Sequence, residues 1–319
     1  MNGQTGRNNL DKQMYEKVLL AAELYYLYRF SQQEIATRMG ISRPWVSKLL
    51  KRAEEIGMVK VEVLTPSAGV IKLEEELKKK YGLLNAKVVK SFSQEDTLKN
   101  AGKAAANYVL SVLQSKDTIG VSWGRSLAAM ADEFTEVYYP GVSVVPIIGG
   151  LGINPEFLSN QIAAKIASAL GAKSFLLHAP AFTVGKAERD VFLKDPSIGS
   201  IISKCENVTI ALTGMGVLRG STMHKVGYIP DKAIEELDSI GAVGDIALRF
   251  IDADGRIVSH SIHDSLVASD LNAVRKRAKQ IVGVASGIHK VSVIRAALKG
   301  KWLDVLITDY DTATELLTQ

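Results

Sequence analysis

A cluster of hydrogen-bond donors lies in the stretch SRPWVSKLLKR, residues 42–52. Arginine, lysine and serine side chains at helical spacing are the groups with which a recognition helix reads base edges and holds the phosphates of duplex DNA. Such a helix reads bases mainly with its first residues, so position assigns the roles. The predicted base-reading residues are Arg43, Ser47 and Lys48, and the predicted phosphate contacts are Lys51 and Arg52.

Two short helices separated by a tight turn would position this cluster. Ser31 and Glu34 have capping-box spacing, which gives the first helix a defined start, and Gly40 ends it. Ser42 is the expected N-cap of the second helix, and Pro44 is tolerated in its first turn. The predicted inward-facing residues are Ile35, Ala36, Met39, Ile41, Val46, Leu49 and Leu50. A basic helix face alone is usually only solvated, but this combination favours a DNA-binding helix-turn-helix.

The positive charge of the chain is concentrated near this motif. The first sixty residues hold ten Lys and Arg against six Asp and Glu, whereas the remaining residues hold 29 against 28. Local cations gain from counterion release when they meet a phosphate backbone. Residues 58–64 alternate in character and predict a short strand, which would make the domain a winged variant. The full predicted DNA-binding set is Ser31, Gln32, Ser42, Arg43, Pro44, Ser47, Lys48, Lys51 and Arg52.

Glycine and small polar residues follow three apolar runs in the second part of the chain. TIGV is followed by SWGRS at residues 122–126, VVPII by GGLG at 149–152, and IAL by TGMG at 213–216. A strand, a glycine, a hydroxyl and a helix start predict a cradle of donors for a phosphate. Each motif alone is more often an ordinary tight turn. Ligands bind outside the carboxyl ends of strands in α/β sheets, so together the motifs predict a pocket.

Other polar residues admit two interpretations. Lys290 follows Ala285, Ser286 and Gly287 at a helix start, where it would meet a phosphate or simply be solvated. Five aspartates near strand ends would bind sugar hydroxyls or cap helices; these are Asp245, Asp252, Asp254, Asp309 and Asp311. Capping is the favoured role for Asp311. His260 and His263, with Asp264 next to them, are interpreted as a loop or helix-end feature rather than a metal site, because a third ligand signal is absent.

Several classes of protein are excluded. Neither G-x-G-x-x-G nor G-x-x-x-x-G-K-[ST] occurs, so neither NAD nor ATP is expected, and no cofactor is predicted. Cys205 is the one cysteine, which excludes an intramolecular disulfide and a multi-cysteine metal site. The chain has no apolar run of about 20 residues and no signal-peptide pattern. We therefore predict a cytoplasmic protein with no membrane partner and a short disordered leader up to about Leu10.

The length of 319 residues suits two domains, predicted as 1–64 for DNA binding and 65–319 for effector binding and oligomerisation. A turn-rich linker covers residues 65–69, and an amphipathic helix follows with Val70, Leu73, Leu77 and Tyr81 on one face. Packing on its own domain is favoured over a coiled coil. The subsequent apolar runs, separated by helix-like segments, predict an α/β domain with a mostly parallel sheet. These runs are 86–89, 118–122, 142–148, 174–178, 208–212, 247–251, 281–285 and 305–308.

Taken over residues 10 to 319, the chain resembles the SorC family of bacterial sugar-responsive transcriptional regulators. The resemblance is carried by YYLYRFSQQEIATRMGISRPWVSKLLKRAEEIGMVKVEV, VSWGRS, GGLG, NQIAAKIA, LLHAPAF, ALTGMG, GAVGDIALRFIDADGR, VGVASGIHKVSVIRAALKG and LDVLITDYDTATELL, in this order. It implies an N-terminal DNA-binding domain and an effector domain similar in fold to sugar-phosphate isomerases and CoA transferases. It also implies assembly into dimers and tetramers.

The same resemblance implies an effector site with its phosphate near Gly124, Arg125 and Ser126. The full predicted effector-binding set is Ser122, Gly124, Arg125, Ser126, Gly149, Gly150, Gly152, Asn160, Gln161, Gly214, Gly216, Asp245 and Lys290. The chain departs from the family pattern at Ser126, where threonine is frequent, and residues 221–230 do not align with it.

These observations predict a regulator of carbohydrate metabolism genes that is not an enzyme. Residues 42–56 would enter the major groove of operator DNA, and a sugar or sugar phosphate would control a homo-oligomer, a dimer or a tetramer. One alternative is a sugar-phosphate isomerase or deaminase carrying a DNA-binding domain, with acid and base groups from Asp245, Asp252, His260 and Lys290. Another is a DNA-binding protein whose large domain only oligomerises.

Overall fold

A computed structural model of the chain describes residues 12–59, 68–90, 92–152, 157–225 and 227–318. The chain divides into two compact units, Met1–Thr65 and Pro66–Gln319. The predicted leader, residues 60–64 of the predicted wing strand, and residues 65–67 of the predicted linker lie outside the described residues. Met58 and Val59 form a bend rather than a strand. No helix among the described ranges is long and apolar enough to cross a membrane.

The first unit is helical. Its helices are Lys12–Ala22 (α1), a π-helical turn at Glu23–Leu27, Gln32–Met39 (α2) and Arg43–Glu55 (α3). The predicted capping box is confirmed: the Glu34 amide donates to Ser31 Oγ at 3.3 Å, and the Ser31 amide donates to Glu34 Oε2 at 2.8 Å. Gly40 ends α2 in the left-handed region at φ 64°. Ser42 occupies the predicted N-cap position of α3, but its side chain makes no capping hydrogen bond.

The inward faces of α2 and α3 pack together as predicted. Ile35 and Val46 are fully buried, and α1 adds Val18 and Ala21 to the same core. Met39 and Ile41 pack against this core without being fully buried. Burial of this apolar stripe holds two short helices that would be marginal alone. The fold of this unit is therefore a helix-turn-helix.

The second unit is α/β. Its α-helices are Ala68–Tyr81 (α4), Gln94–Val112 (α5), Arg125–Asp132 (α6), Ser159–Ala169 (α7), Lys186–Lys194 (α8), Pro196–Cys205 (α9), Thr222–Lys225 (α10), Asp231–Ser239 (α11), Leu271–Arg277 (α12), Val291–Lys299 (α13) and Tyr310–Thr318 (α14). Short 3-10 helices occupy Ser261–Ser265 and Ile288–Lys290. Its strands are Asn85–Val89 (β1), Thr118–Val121 (β2), Ser143–Pro146 (β3), Lys173–Ser174 (β4), Ile210–Thr213 (β5), Met215–Val217 (β6), Ala242–Ile246 (β7), Arg249–Asp252 (β8), Gln280–Val284 (β9) and Val305–Asp309 (β10).

Within the described residues, seven strands form one sheet in the order β1-β10-β9-β5-β2-β3-β4, and every pair in it is parallel. The predicted parallel α/β sheet is confirmed. Side chains of successive strand residues point to opposite faces of the sheet, and each face has its own hydrophobic core. Ile210 and Leu212 therefore lie in one core and Ala211 in the other. Helices cover both faces, which explains why the strands read as continuous apolar runs.

Two predicted strands are wrong in part. The run 247–251 belongs to a separate antiparallel sheet of order β6-β7-β8, and Ala247 and Leu248 form its turn with φ of 46° and 66°. The run 174–178 keeps strand structure only to Ser174. Beyond that point the side-chain amide of Asn160 bonds both backbone groups of Leu177, at 3.0 and 3.1 Å, in place of a strand ladder.

Helix α4 packs on its own unit, as predicted. Val70, Leu77 and Tyr81 are buried, and Leu73 packs against the same core. The Tyr81 hydroxyl donates to the carbonyl of Leu316 at 2.8 Å, which ties α4 to the C-terminal helix α14. The helix begins two residues earlier than predicted, at Ala68.

Substitution of Gly102 tests the packing that positions α6. A Cβ at Gly102 would lie 2.7 Å from the backbone carbonyl of Ala129, where backbone cannot yield. Alanine gains about 1 kcal/mol in helix propensity over glycine, but overpacking of this kind costs about 1–3 kcal/mol. We expect Gly102→Ala to lower the free energy of unfolding in urea. The exposed neighbour Lys103→Ala is the control, and equal stability of both variants would contradict the packing argument.

Candidate functional site

A cavity of about 660 Å³ lies at the carboxyl ends of the neighbouring strands β2, β5, β9 and β10. The chain leaves β2 toward β3 on one side and continues from β5 toward β9 on the other, so this edge is a topological switch point. The cavity brings together seven of the predicted effector residues, which are Gly124, Arg125, Ser126, Gly214, Gly216, Asp245 and Lys290.

The start of α6 supplies backbone donors to the cavity. Gly124 is the N-cap with φ 115°, and its carbonyl accepts from the amides of Leu127 and Ala128. No side chain caps this end, and no described residue accepts a bond from the amides of Arg125 or Ser126. The first amides of a helix carry partial positive charge. This end of α6 is therefore suited to an anion.

A second turn at the cavity is held by Asp309, for which the sequence predicts either sugar binding or helix capping. The amide of Gly287 donates to Asp309 Oδ2 at 2.6 Å and to Thr312 Oγ1 at 3.0 Å. Asp309 Oδ1 accepts from the Thr312 amide at 3.0 Å and so caps α14. Gly287 itself has φ 103°, which favours glycine. This turn sets the 3-10 helix Ile288–Lys290 and brings Lys290 into the cavity.

Asp245 and Lys290 both line the cavity, and both have shifted pKa values. Burial raises the pKa of Asp245 to about 7, against the lowering effect of a 3.0 Å bond from the Leu248 amide and of the Lys290 charge. Burial, and then the charge of Arg125, lower the pKa of Lys290 to about 8. Gly216 pairs with Asp245 across β6 and β7, and a side chain there would overlap the Asp245 carboxylate. Glycine at 216 thus admits the carboxylate to the cavity wall.

Further cavity residues were not predicted from the sequence. Lys225 reaches the cavity from α10, and His289 has its pKa lowered by burial and then by the neighbouring charge of Lys290. Phe92 and Thr97 come from the entrance to α5, where the Phe92 amide donates to Thr97 Oγ1 at 2.9 Å. Lys225 falls in the segment that does not align with the family, and the start of α5 carries no motif. Only the topology brings them here.

Six predicted effector residues are not among the described residues that line this cavity. Ser122 is buried and donates its amide to the carbonyl of Leu212. Gly149 has its amide bonded to Val267, and a side chain there would overlap the carbonyl of Pro180. The amide of Gly150 donates to the carbonyl of Ala179, and the side chain of Asn160 bonds the backbone of Leu177. The remaining two, Gly152 and Gln161, are exposed. Close backbone approach explains the first glycine of GGLG, Gly149.

The two histidines of the 260–264 stretch have structural partners. His260 is the N-cap of the 3-10 helix Ser261–Ser265, and its Nδ1 accepts from the Ile262 amide at 3.1 Å. His263 Nε2 accepts from the Phe250 amide at 3.0 Å, and burial lowers the pKa of His263 to about 4. The helix-end interpretation is confirmed. Over the described ranges, no cluster of three His, Cys, Asp or Glu side chains could hold a metal ion.

The outward face of α3 carries the predicted DNA-binding cations. Arg43, Ser47, Lys48 and Lys51 are exposed, and no described carboxylate forms an ion pair with the three cations among them. Arg52 differs, because it is half-buried and pairs with Glu55 at 3.0 Å. Ser42 and Pro44 are exposed at the start of the helix, Ser31 is engaged in the capping box, and Gln32 is half-buried.

Comparisons with known proteins agree with both units. Residues 65–318 match the model of the sugar-binding domain family. The chain is 33% identical over 312 residues to the deoxyribonucleoside regulator of Bacillus subtilis (strain 168), covering 97% of this chain and 99% of that one. It is 30% identical over 308 residues to the sorbitol operon regulator of Klebsiella pneumoniae, covering 94% and 97%.

Among solved structures, the full-length sorbitol operon regulator SorC from Klebsiella pneumoniae superimposes with a TM-score of 0.83 at 29% identity, covering 97% of this chain and 100% of that one. The match extends over both units and is not confined to the sugar-binding domain. The chain therefore belongs to the SorC family of sugar-responsive bacterial transcriptional regulators.

Proposed function

We propose that this protein binds operator DNA through α3 and that a sugar phosphate in the cavity controls this binding. The observation that carries the effector assignment is the convergence of Arg125, Lys290 and the unpartnered amides of α6 on one cavity. Phosphate is the anion that suits a helix N-terminus with flanking cations. The remaining polar walls, including Asp245, suit sugar hydroxyls. We place the protein in the cytoplasm, where operator DNA lies.

The names of the relatives support the ligand class. The Bacillus protein is a deoxyribonucleoside regulator and the Klebsiella protein is a sorbitol operon regulator. Both names refer to carbohydrates or their derivatives. We propose that the genes controlled by this protein belong to carbohydrate metabolism as well. We assign the effector role to the seven predicted residues in the cavity and leave out the six outside it.

We propose that the working form is a homo-oligomer, a dimer or a tetramer. One recognition helix reads only a few base pairs, and helix-turn-helix proteins gain specificity from two half-sites. The effector changes DNA affinity only by its differential affinity for the two states of the oligomer, commonly about 1–3 kcal/mol. A homo-oligomer therefore supplies both the half-sites and the states that the effector selects.

The enzyme alternative loses most of its candidate residues. Asp245 and Lys290 share the cavity, but Asp252 accepts from the amides of Asp254 and Arg256 in a turn. His260 caps a 3-10 helix. An acid and a base without further groups at the reacting atoms make a weak catalytic site. The relatives are likewise named as regulators, and we propose a binding role for both residues.

The effector assignment is tested with a thermal-shift screen of sugar phosphates. A ligand of the native state raises stability by about 2.7 kcal/mol at a hundredfold excess over its dissociation constant. We expect at least one sugar phosphate to raise the melting temperature and to change the affinity for operator DNA, and Arg125→Ala to lose both effects. Lys276→Ala, an exposed cation on α12, is the control and retains them. Stabilisation that survives Arg125→Ala would contradict the assignment.

The pKa of Lys290, lowered to about 8, predicts a pH dependence of effector binding. Between pH 7 and 9 this lysine loses its charge, whereas a phosphate monoester stays a dianion because its second pKa is about 6. We expect affinity, measured by calorimetry, to fall about tenfold over this interval. Ionisation of Asp245, with its pKa of about 7, acts in the same direction.

Two variants separate these contributions to the pH dependence. Lys290→Arg keeps its charge and leaves only the Asp245 part, whereas Asp245→Asn leaves only the lysine part. An unchanged pH profile in Lys290→Arg would contradict the assignment of this pH dependence to Lys290.

The DNA face predicts two kinds of loss. Arg43→Ala removes a base contact, so specific binding falls by about 1–3 kcal/mol per site while binding to random duplex changes little. Lys51→Ala removes a phosphate contact, so affinity falls on all sequences and the salt slope flattens by about one. Fluorescence anisotropy over a salt series measures both. Equal losses on operator and random DNA for Arg43→Ala would remove the base-reading assignment.

A further inference from the structure

Trp45 is a large aromatic side chain of the first unit that lies outside its buried core. It is 37% exposed on the first turn of α3. It is not one of the buried residues of the core built on Val46 and Ile35, and more than a third of its surface faces solvent. Ring surface left in water contributes little to folding. A tryptophan in this position therefore points to a partner outside the unit.

The place of Trp45 in the helix suggests which partner this is. Helical side chains lean toward the N-terminus, so the indole lies over the end of α3 that enters a DNA groove. Its chain neighbours there are Arg43 and Pro44, both exposed. Pro44, in the first turn of the helix, carries no backbone N–H. The tip of this helix thus combines apolar surface with a free cation.

A second contact links the ring to the cationic face. The Lys48 ammonium lies 5.8 Å from the centroid of the Trp45 ring, within the range of a cation–π interaction. Lys48 follows one turn later on the outward face and is itself exposed. A groove that receives the lysine therefore also receives the edge of the indole.

The major groove offers one kind of apolar group to such a ring. Each thymine presents its C5-methyl there, and apolar side chains read thymine through that methyl. We propose that Trp45 packs against a thymine methyl and makes α3 specific for thymine at one position of each half-site. This inference rests on the proposed binding of operator DNA through α3 and adds a base to it.

The test replaces thymine with uracil, which removes the methyl and keeps all hydrogen-bonding groups. The probe is a duplex enriched from a random-sequence pool by the wild-type protein, with each thymine replaced in turn. We expect the affinity of the wild type to fall about fourfold at one thymine per half-site, the value for one buried methyl. Trp45→Ala is expected to bind more weakly and to show no penalty at that thymine.

Matched variants keep the result interpretable. Lys51→Ala is expected to weaken binding to every duplex while retaining the uracil penalty. Trp45→Phe keeps an aromatic ring and is expected to retain part of the uracil penalty. It replaces Trp45→Ala in the comparison if the alanine variant proves too unstable. Tryptophan fluorescence gives a second readout: DNA is expected to change the emission of the wild type, and Trp45→Phe is expected to lose this change although Trp123 and Trp302 remain.

The outcomes separate this inference from the proposed function. Failure of the wild type to enrich any sequence would overturn both. Sequence-specific binding without a uracil penalty at any thymine would overturn only the role of Trp45. Identical uracil profiles of wild type and Trp45→Ala would do the same.

Discussion

The strand order β10-β9-β5-β2 is the constraint on which the proposed effector site depends. Because these strands are parallel, their carboxyl ends meet at one edge, and three turns far apart in the sequence become neighbours there. The turns contain Gly124, Gly214 and Gly287. Each is fixed by a bond that has nothing to do with a ligand, such as the Asp309 carboxylate that holds the Gly287 amide. The three turns are thus held in place by contacts within the protein itself.

Features that depend on interactions between residues close in the sequence could be predicted, whereas those that depend on distant residues could not. The capping box of Ser31 and Glu34 and the turn at Gly40 are local, and both are present. The parallel sheet could also be predicted, since strands buried on two faces leave continuous apolar runs. The boundaries failed where tertiary contacts replaced the ladder. β4 ends at Ser174, and Leu177 bonds the side chain of Asn160; no pattern within residues 174–178 predicts that bond.

The contrast between local and distant interactions also explains which residues of the cavity could be predicted. Glycines at strand ends predicted the right edge of the sheet, but a glycine is required for several reasons that the sequence does not separate. Gly216 leaves room for the Asp245 carboxylate, whereas Gly149 leaves room for the carbonyl of Pro180 and is not among the described residues that line the cavity. Lys225 was missed because only the fold brings α10 to the cavity. Residues that act through topology carry no local signal.

The electrostatics of the cavity suggest where the free energy for regulation comes from. Arg125 and Lys290 both line the cavity, and the charge of Arg125 adds to burial in lowering the pKa of Lys290, while burial raises the pKa of Asp245. Holding the Lys290 charge in this site therefore costs free energy. Each pKa unit corresponds to about 1.4 kcal/mol. An anionic effector between the cations would relieve this cost in whichever state of the protein holds them together. A neutral sugar lacks that charge, so we propose that the phosphate group supplies most of the differential affinity that couples the cavity to DNA binding.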